Sequence, residues 1–300
     1  MDIGIYCHIK KLLSNLAPGK KIKSEKLELL TPLLDKGIPS SVLKDVFISI
    51  ISSGQKEMFS FLLGKDQLKK MDSKDVDAVV NLVVACESVL GKIDTDDDGL
   101  SILIGDNESF FLDELLFYNI FDKYNIEEKQ KMFESVLGLQ QIEKAELFFK
   151  YQLGVDINAL NKQGKTAFDM IIQSYTNHHV IATSFNKNKI VNQDYLFINN
   201  EAIPFLKKYN FNFNKENYEA HTAIMQSVKC DMGNTIKNII DAGGKLEEKS
   251  SIGISAMDLY KMKDKKSFSK ETVSAIESFV LGGRYDVEKK NKAKIKKKRL

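Results

Sequence analysis

The sequence is poor in the residues that build disulfide frameworks, sandwiches and barrels: its 300 residues contain three cysteines, four prolines and no tryptophan. Cys7, Cys86 and Cys230 are odd in number and far apart, which argues against a disulfide framework and favours a reducing compartment. Scarce proline and tryptophan favour an all-helical chain. The chain begins without a basic head before an apolar run, and no apolar stretch reaches about eighteen residues. We therefore expect neither a signal peptide nor a transmembrane segment, and a cytoplasmic location.

Signatures of catalysis are also missing. His178 and His179 are adjacent, so they point in different directions in a helix or strand, and no nucleophile elbow or zinc-ligand spacing occurs. Gly164-Lys165-Thr166 ends like a phosphate-binding loop, but Ala159 stands where that motif needs its first glycine. We predict a protein that is not an enzyme and holds no cofactor. An enzyme site assembled within the N-terminal half stays open as an alternative.

The clearest positive feature is a turn that leads into a capped helix. Gly164 allows the turn a positive φ, and Thr166 is placed to cap the next helix through the N–H of Asp169. Asp169 completes a capping box, and its charge suits the positive end of the helix dipole. The following Ala167, Phe168, Ile171 and Ile172 share one helical face, which so short a helix cannot bury alone.

The same order of turn, cap and apolar residues recurs along the chain. Thr222 and Ser255 are caps 33 residues apart, Asp258 completes a box with Ser255, and Ser101 is a weaker copy. Thr166 and Thr222 are 56 residues apart, so an insertion is expected between them, at 177–198. Helices are predicted at 42–51, 57–63, 75–90, 110–121, 127–137 and 141–152, with Gly138 separating the last two.

Helix ends repeat as well. Two large apolar residues, a short polar stretch and then Gly or Asn end the segments at Gly37, Asn125, Asn210 and Gly243. Gly and Asn accept the left-handed conformation at a helix C-terminus. In both halves of this unit the chain resembles the ankyrin-repeat family, from about 126 to 283 and less clearly before that.

The resemblance implies an all-α fold, an ankyrin-like α-solenoid of about six to eight stacked helix-turn-helix repeats. Residues 1–125 are assigned to degenerate repeats, 126–283 to the repeat region with its insertion, and 284–300 to a basic tail. Ankyrin proteins bind other proteins through the concave face and the turn tips, so a non-catalytic, monomeric scaffold is expected. The partner-contact candidates in the turns and insertion are Asp156, Asn158, Asn161, Lys162, Asn214, Asn217, His178 and His179.

An acidic stretch provides a second alternative. Asp94, Asp96, Asp98 and Gly99 match positions one, three, five and six of an EF-hand loop, in which alternate carboxylates surround Ca²⁺. Gly105 stands where the bidentate glutamate is needed. The stretch is more simply the acidic start of a turn capped by Ser101, and calcium binding is kept as the alternative.

The charge is concentrated at the C-terminus. The last dozen residues carry eight positive charges, among them Lys296, Lys297, Lys298 and Arg299, which indicates a disordered tail. The tail is the only part expected to attract nucleic acid or anionic membrane, and it equally suits an export signal, a nuclear import signal or a solubilising role. Heavy use of Lys, Asn and Ile suggests an AT-rich genome. Many ankyrin proteins of intracellular bacteria enter host cells, so an effector acting on proteins of the host cytosol or nucleus is a further hypothesis.

Overall fold

The structure is a computed structural model that describes residues 31–35, 37–85, 109–173 and 196–281. Every regular element in these ranges is helical. The chain divides into two compact units, one ending at Val155 and the other beginning at Asp156. The all-α prediction is therefore confirmed for the described part of the chain.

The first unit is a succession of short α-helices and 3₁₀ turns. Its α-helices are α1 (Thr31–Asp35), α2 (Ser40–Ser52), α3 (Lys56–Gly64), α4 (Ser73–Ala85), α5 (Phe110–Phe117), α6 (Ile126–Gly138) and α7 (Ile142–Lys150). Two 3₁₀ turns, Leu68–Lys70 and Ile120–Lys123, join some of them. The helices predicted at 42–51, 57–63, 127–137 and 141–152 match α2, α3, α6 and α7 to within about two residues, the usual scatter of helix ends.

These helices pack as pairs in two layers. Helix α2 packs on α4 and α4 on α6, while α3 packs on α5 and α5 on α7. Within the pairs, α2 contacts α3, α4 contacts α5 and α6 contacts α7. The part predicted to be the least regular is thus a repeated stack of helix pairs.

Aromatic rings join the two layers of the first unit. Phe59 of α3 meets Phe47 of α2 edge to face at 5.7 Å between ring centroids, and meets Phe111 of α5 at 4.9 Å. Phe121 and Phe133 both contact Phe148 of α7, at 6.1 and 5.6 Å. All of these rings are buried, and such contacts add to the burial of apolar area. Each pair therefore stabilises the next through one shared apolar layer.

Helix ends differ from the predicted pattern at two places. Gly138 lies inside α6, and the left-handed residue is Gln140, with φ of 59°. Asn125 is not a left-handed helix end but the N-cap of α6, where it forms a capping box with Glu128, both hydrogen bonds being 2.9 Å. The predicted helix 110–121 instead ends at Phe117, and Asn119 is left-handed.

The physical reason is that the end of a helix is set by hydrogen bonds as well as by residue type. After α6 the N–H of Gln140 donates to the carbonyl of Leu137 at 3.0 Å, and that of Gln141 donates to Val136 at 3.1 Å. This pair of bonds is the Schellman arrangement, which offsets the cost of a left-handed residue other than glycine. The same arrangement follows α2, α3 and α7.

The second unit contains helices that are shorter on average and longer turns. Its elements are α8 (167–173), a π-helical turn (Ile198–Ala202), α9 (Ile203–Lys208), α10 (Ala223–Lys229), α11 (Gly233–Asp241), α12 (Ala256–Met262), a 3₁₀ turn (Lys265–Ser267) and α13 (270–281). Helix α10 packs against both α11 and α12, and the π-helical turn packs against α9 and α11. Ile224 of α10, Ile236 of α11 and Met257 of α12 are buried.

Several predicted features lie outside the described residues. They are the acidic residues Asp94, Asp96 and Asp98, the cap Ser101, the histidines His178 and His179, most of the insertion, and the basic residues Lys296, Lys297, Lys298 and Arg299. The end of the insertion is described: residues 196–197 are helical and lead into the π-helical turn.

Candidate binding surface

Three turns in the second unit have the same backbone. They are 156–166, 212–222 and 245–255, and each precedes a capped helix. The carbonyl of Asn161 accepts the N–H of Gly164 at 2.8 Å, and the equivalent bonds are Ala220 to Asn217 at 2.9 Å and Gly253 to Ser250 at 2.8 Å. In all three turns the donor residue is left-handed, with φ of 69°, 57° and 78°. The predicted recurrence is therefore also a recurrence of backbone geometry.

Asparagine side chains brace two of these turns from inside. The Oδ1 atom of Asn161 accepts the N–H groups of Gln163 and Lys165, both at 2.9 Å. Asn217 does the same for Glu219 at 2.9 Å and His221 at 3.0 Å. Such bonds satisfy backbone donors that a tight turn leaves without a backbone partner.

A second pair of asparagines connects each turn to the next one. Asn158 donates its amide to the carbonyl of Asn210 at 3.1 Å and accepts the N–H of Asn212 at 2.7 Å. Asn214 donates to Gly243 at 3.0 Å and accepts from Lys245 at 2.9 Å. Asn210 and Gly243 are the left-handed residues that end α9 and α11. Each asparagine therefore holds the end of a helix, and the start of the turn that follows that helix, to the preceding turn.

The helix caps add further links. The hydroxyl of Thr166 accepts the N–H of Asp169 at 3.2 Å, and the Asp169 carboxylate accepts the N–H of Thr166 at 2.9 Å. The other Asp169 oxygen accepts the Asn217 amide at 3.0 Å, so this capping box also holds the next turn.

Three more helices of the second unit begin with a capping side chain, two of them at the predicted caps Thr222 and Ser255. Ser255 and Asp258 form a second capping box, with bonds of 3.1 and 3.0 Å. Thr222 caps α10 through the N–H of Met225 at 3.4 Å. Ser269 caps α13 through Thr272 at 3.2 Å. These caps satisfy N–H groups that have no partner within their own helices.

The three turns present apolar side chains to solvent. Leu160 is 43% exposed, Tyr218 is 64% exposed and Ile252 is 55% exposed. We call the three turns with these three side chains the turn face. Exposed apolar residues on a rigid backbone are typical of protein-binding sites, because little conformational entropy is lost when a partner covers them.

A charged group lies beside Tyr218. The carboxylate of Glu219 accepts from Lys229 at 2.9 Å and from the Tyr218 hydroxyl at 3.1 Å, and it lies 3.0 Å from Nδ1 of His221. The hydrogen bond from Lys229 is the largest cause that lowers the pKa of Glu219 from 4.5 to about 2. Glu219 is therefore an anion at neutral pH and orders the tip of the middle turn.

The partner-contact candidates divide into two groups. Asn158, Asn161, Asn214 and Asn217 use their amides within the protein, and Asn217 is also buried, so these residues support the surface. Exposed Asp156 accepts the N–H of Asn158 at 2.8 Å, and Lys162 is exposed at its turn tip. Sequence reasoning missed Leu160, Tyr218 and Ile252. They lie at different positions within their turns, so the repeat spacing gave no signal for them.

Within the described ranges, no group of three or more His, Cys, Asp and Glu residues could hold a metal ion. No helix within the same ranges is long and apolar enough to cross a bilayer. In comparisons with known proteins, no protein-family model matches the chain, and the curated proteins contain no significant match.

Proposed function

We propose that the chain is a non-catalytic, ankyrin-like binding scaffold that recognises a protein partner through the turn face. The observation that carries this proposal is the recurrence of one turn geometry three times, with successive turns bridged by Asn158 and Asn214. The three exposed apolar side chains at those tips supply the area that a partner would cover. The two-layer stacking of helix pairs in the first unit supports the same α-solenoid interpretation.

The test compares the full chain with the triple variant L160S/Y218S/I252S as bait in cytosol from the proposed host cell type. We expect a specific protein that the full chain retains and the variant loses, and purified protein should then show at least about a ten-fold weaker Kd for the variant. The matched control is F117S/I126S, which removes two side chains of the first unit that are each 65% exposed. This control should keep the partner.

A third bait tests whether the partner binds the insertion rather than the turn face. In it, a short Gly-Ser link replaces residues 177–198. If this bait loses the partner while the triple variant keeps it, recognition belongs to the insertion and the turn-face proposal is wrong. If no bait retains a specific partner, the scaffold proposal itself is abandoned in favour of a search for chemistry in the N-terminal half.

The proposed setting is a host cell into which the chain is delivered as a bacterial effector. This part of the proposal depends on the resemblance, on residue usage and on the basic tail. It is tested by fusing the last dozen residues to a reporter protein. Export or nuclear entry of the reporter supports a signal in the tail, and a reporter that does neither removes that role.

A further inference from the structure

The end of the second unit has a groove that the turn face does not include. It lies between the 3₁₀ turn Lys265–Ser267 and one side of α13, and has a volume of about 560 Å³. The side of α13 that lines it carries Lys270, Val273, Ser274, Glu277, Ser278 and Leu281. These positions are three or four residues apart, which places them on one helical face.

The groove combines an apolar floor with a basic rim. Val273, Leu281 and the ring of Phe268 supply the apolar atoms, and Leu281 is 63% exposed. Lys265, Lys266 and Lys270 stand around them. An apolar patch therefore lies beside three lysines, one of which is paired with Glu277.

The rim keeps a net positive charge. Lys265 is paired with Glu277 at 2.8 Å. In the described part of the chain, Lys266 and Lys270 form no ion pair, and both are exposed. Among the described residues, the groove therefore has two lysine ammonium groups that are not paired with a carboxylate, although the Asp264 carboxylate accepts the backbone N–H of Lys266 at 3.1 Å.

We propose that this groove is a second docking site, and that its occupant is an acidic linear segment of a partner protein with a leucine-like side chain. Charge complementarity selects the acidic flanks, because Lys266 and Lys270 attract carboxylates. The concave apolar floor selects a side chain that can enter it, whereas a bilayer presents a flat surface. The site is independent of the turn face and would operate if the turn-face proposal failed.

The basic tail follows α13 in the sequence, and its like charge makes it an unsuitable occupant of the groove. Its lysines would also attract an acidic partner. The tail by itself would attract any polyanion without regard to leucine. Dependence on the apolar side chain therefore distinguishes the groove from the tail.

The experiment uses the full chain and a short fluorescent peptide with glutamates on both sides of a central leucine pair. Fluorescence anisotropy is measured at about 50 mM salt, where charge attraction is weakly screened. The variants are K266E/K270E for the rim and L281S for the floor. The matched control K207E/K237E reverses two exposed lysines on α9 and α11, which do not line the groove.

We expect each groove variant to bind the peptide about ten-fold more weakly, and the control to bind it like the natural chain. A matched peptide with serines in place of the leucines should bind about ten-fold more weakly as well. Binding should survive, at reduced affinity, when Lys296, Lys297, Lys298 and Arg299 are changed to Gln.

Three results would overturn the proposal. Equal binding by K266E/K270E and K207E/K237E would place the attraction outside the groove. In the second, the leucine and serine peptides bind equally well, and both lose affinity when the tail is neutralised. That result would show that the tail attracts the peptides by charge alone. Phosphatidylserine vesicles that bind in a Lys266- and Lys270-dependent way, with no peptide bound, would make the surface a membrane site.

Discussion

At the scale of single residues, asparagine side chains hold the turns in register. Asn158 and Asn214 each use both ends of a planar amide, donating to one backbone carbonyl and accepting from an N–H two residues later. Serine has only one short hydroxyl and cannot span these two groups. The third turn has Glu247 at the equivalent position.

The first prediction concerns one of these bridges. N214A removes the bonds to Gly243 and Lys245 and should lower the free energy of unfolding by about 1–2 kcal/mol, the net contribution of two hydrogen bonds to exposed backbone groups. Urea denaturation measures the change. N214D keeps the acceptor and loses the donor, so its stability should be intermediate. Unchanged stability of N214A would mean that water replaces the bridge without cost.

The second prediction concerns Glu219 and pH. Its pKa is lowered from 4.5 to about 2, mainly by the hydrogen bond from Lys229, so the unfolded chain binds the proton more readily than the folded chain. This contribution to stability is complete above pH 4.5 and is lost as the pH falls towards about 2. E219Q lacks the titrating group. Its free energy of unfolding should therefore fall less steeply than that of the natural chain over this range.

The control for this experiment is the interval at about pH 8, where the difference between the two proteins should be constant because carboxyl and imidazole groups are both outside their ordinary titration ranges. Asp75, Asp77 and Asp258 also have lowered pKa values and titrate in both proteins. Their contributions are the same in both proteins and cancel when one curve of unfolding free energy against pH is subtracted from the other. If the two curves of unfolding free energy stayed parallel down to pH 2, the loss of stability could not be assigned to Glu219.

At the scale of elements, the turns depend on one left-handed residue each. G253A should destabilise the protein by about 1 kcal/mol, because alanine resists positive φ while the space around its Cβ is open. G164A should cost more, about 2–3 kcal/mol, since its Cβ would lie 2.7 Å from the Cβ of Tyr218. A220G relieves the same strain and should stabilise by about 0.5 kcal/mol.

Thermal denaturation of these three variants checks the order of stabilities. If G164A and G253A cost the same, the approach of Tyr218 to the first turn does not limit the backbone there. If A220G destabilises, the flexibility that glycine adds to the unfolded chain exceeds the relief of strain.

Close helix packing gives the fourth prediction. A Cβ on Gly233 would lie 2.4 Å from backbone atoms of Glu271 and Thr272, so G233A should force α11 away from α13 and cost about 3 kcal/mol. The matched control is G138A at the end of α6, where no atom lies within 4 Å of the new Cβ. It should stabilise by about 0.5 kcal/mol, because alanine favours the helix. Guanidinium denaturation measures both, and similar effects would contradict the packing argument.

At the scale of the whole molecule, stability should be distributed by unit. Stacked helix pairs contact mainly their neighbours, so damage at one pair spreads weakly along an array. In G233A, amide hydrogen exchange should rise in α10 to α13 and stay unchanged in α2 to α4. A uniform rise across the described helices would show that the two units unfold as one cooperative body.

How far the chain could be predicted depends on the range of the interactions involved. The caps Thr166, Thr222 and Ser255 follow from residues three or four positions apart, and the left-handed glycines follow from backbone sterics. Hydrophobic spacing likewise identified α2, α3, α6 and α7. The 33-residue spacing of the turns is a property of the sequence itself.

The sequence by itself therefore determined the helical class, the caps and the recurrence of the turns, because these depend on neighbours along the chain. Only the tertiary structure decided that Asn158 and Asn214 bridge successive turns, that Asn217 is buried, and that Leu160, Tyr218 and Ile252 remain exposed. It also decided that the backbone of α13 lies so close to Gly233 that a Cβ atom there would clash. The physical reason is that bridges and burial of this kind depend on residues tens of positions away, such as Asn210 for Asn158 and Asp169 for Asn217, which no local pattern of residues encodes.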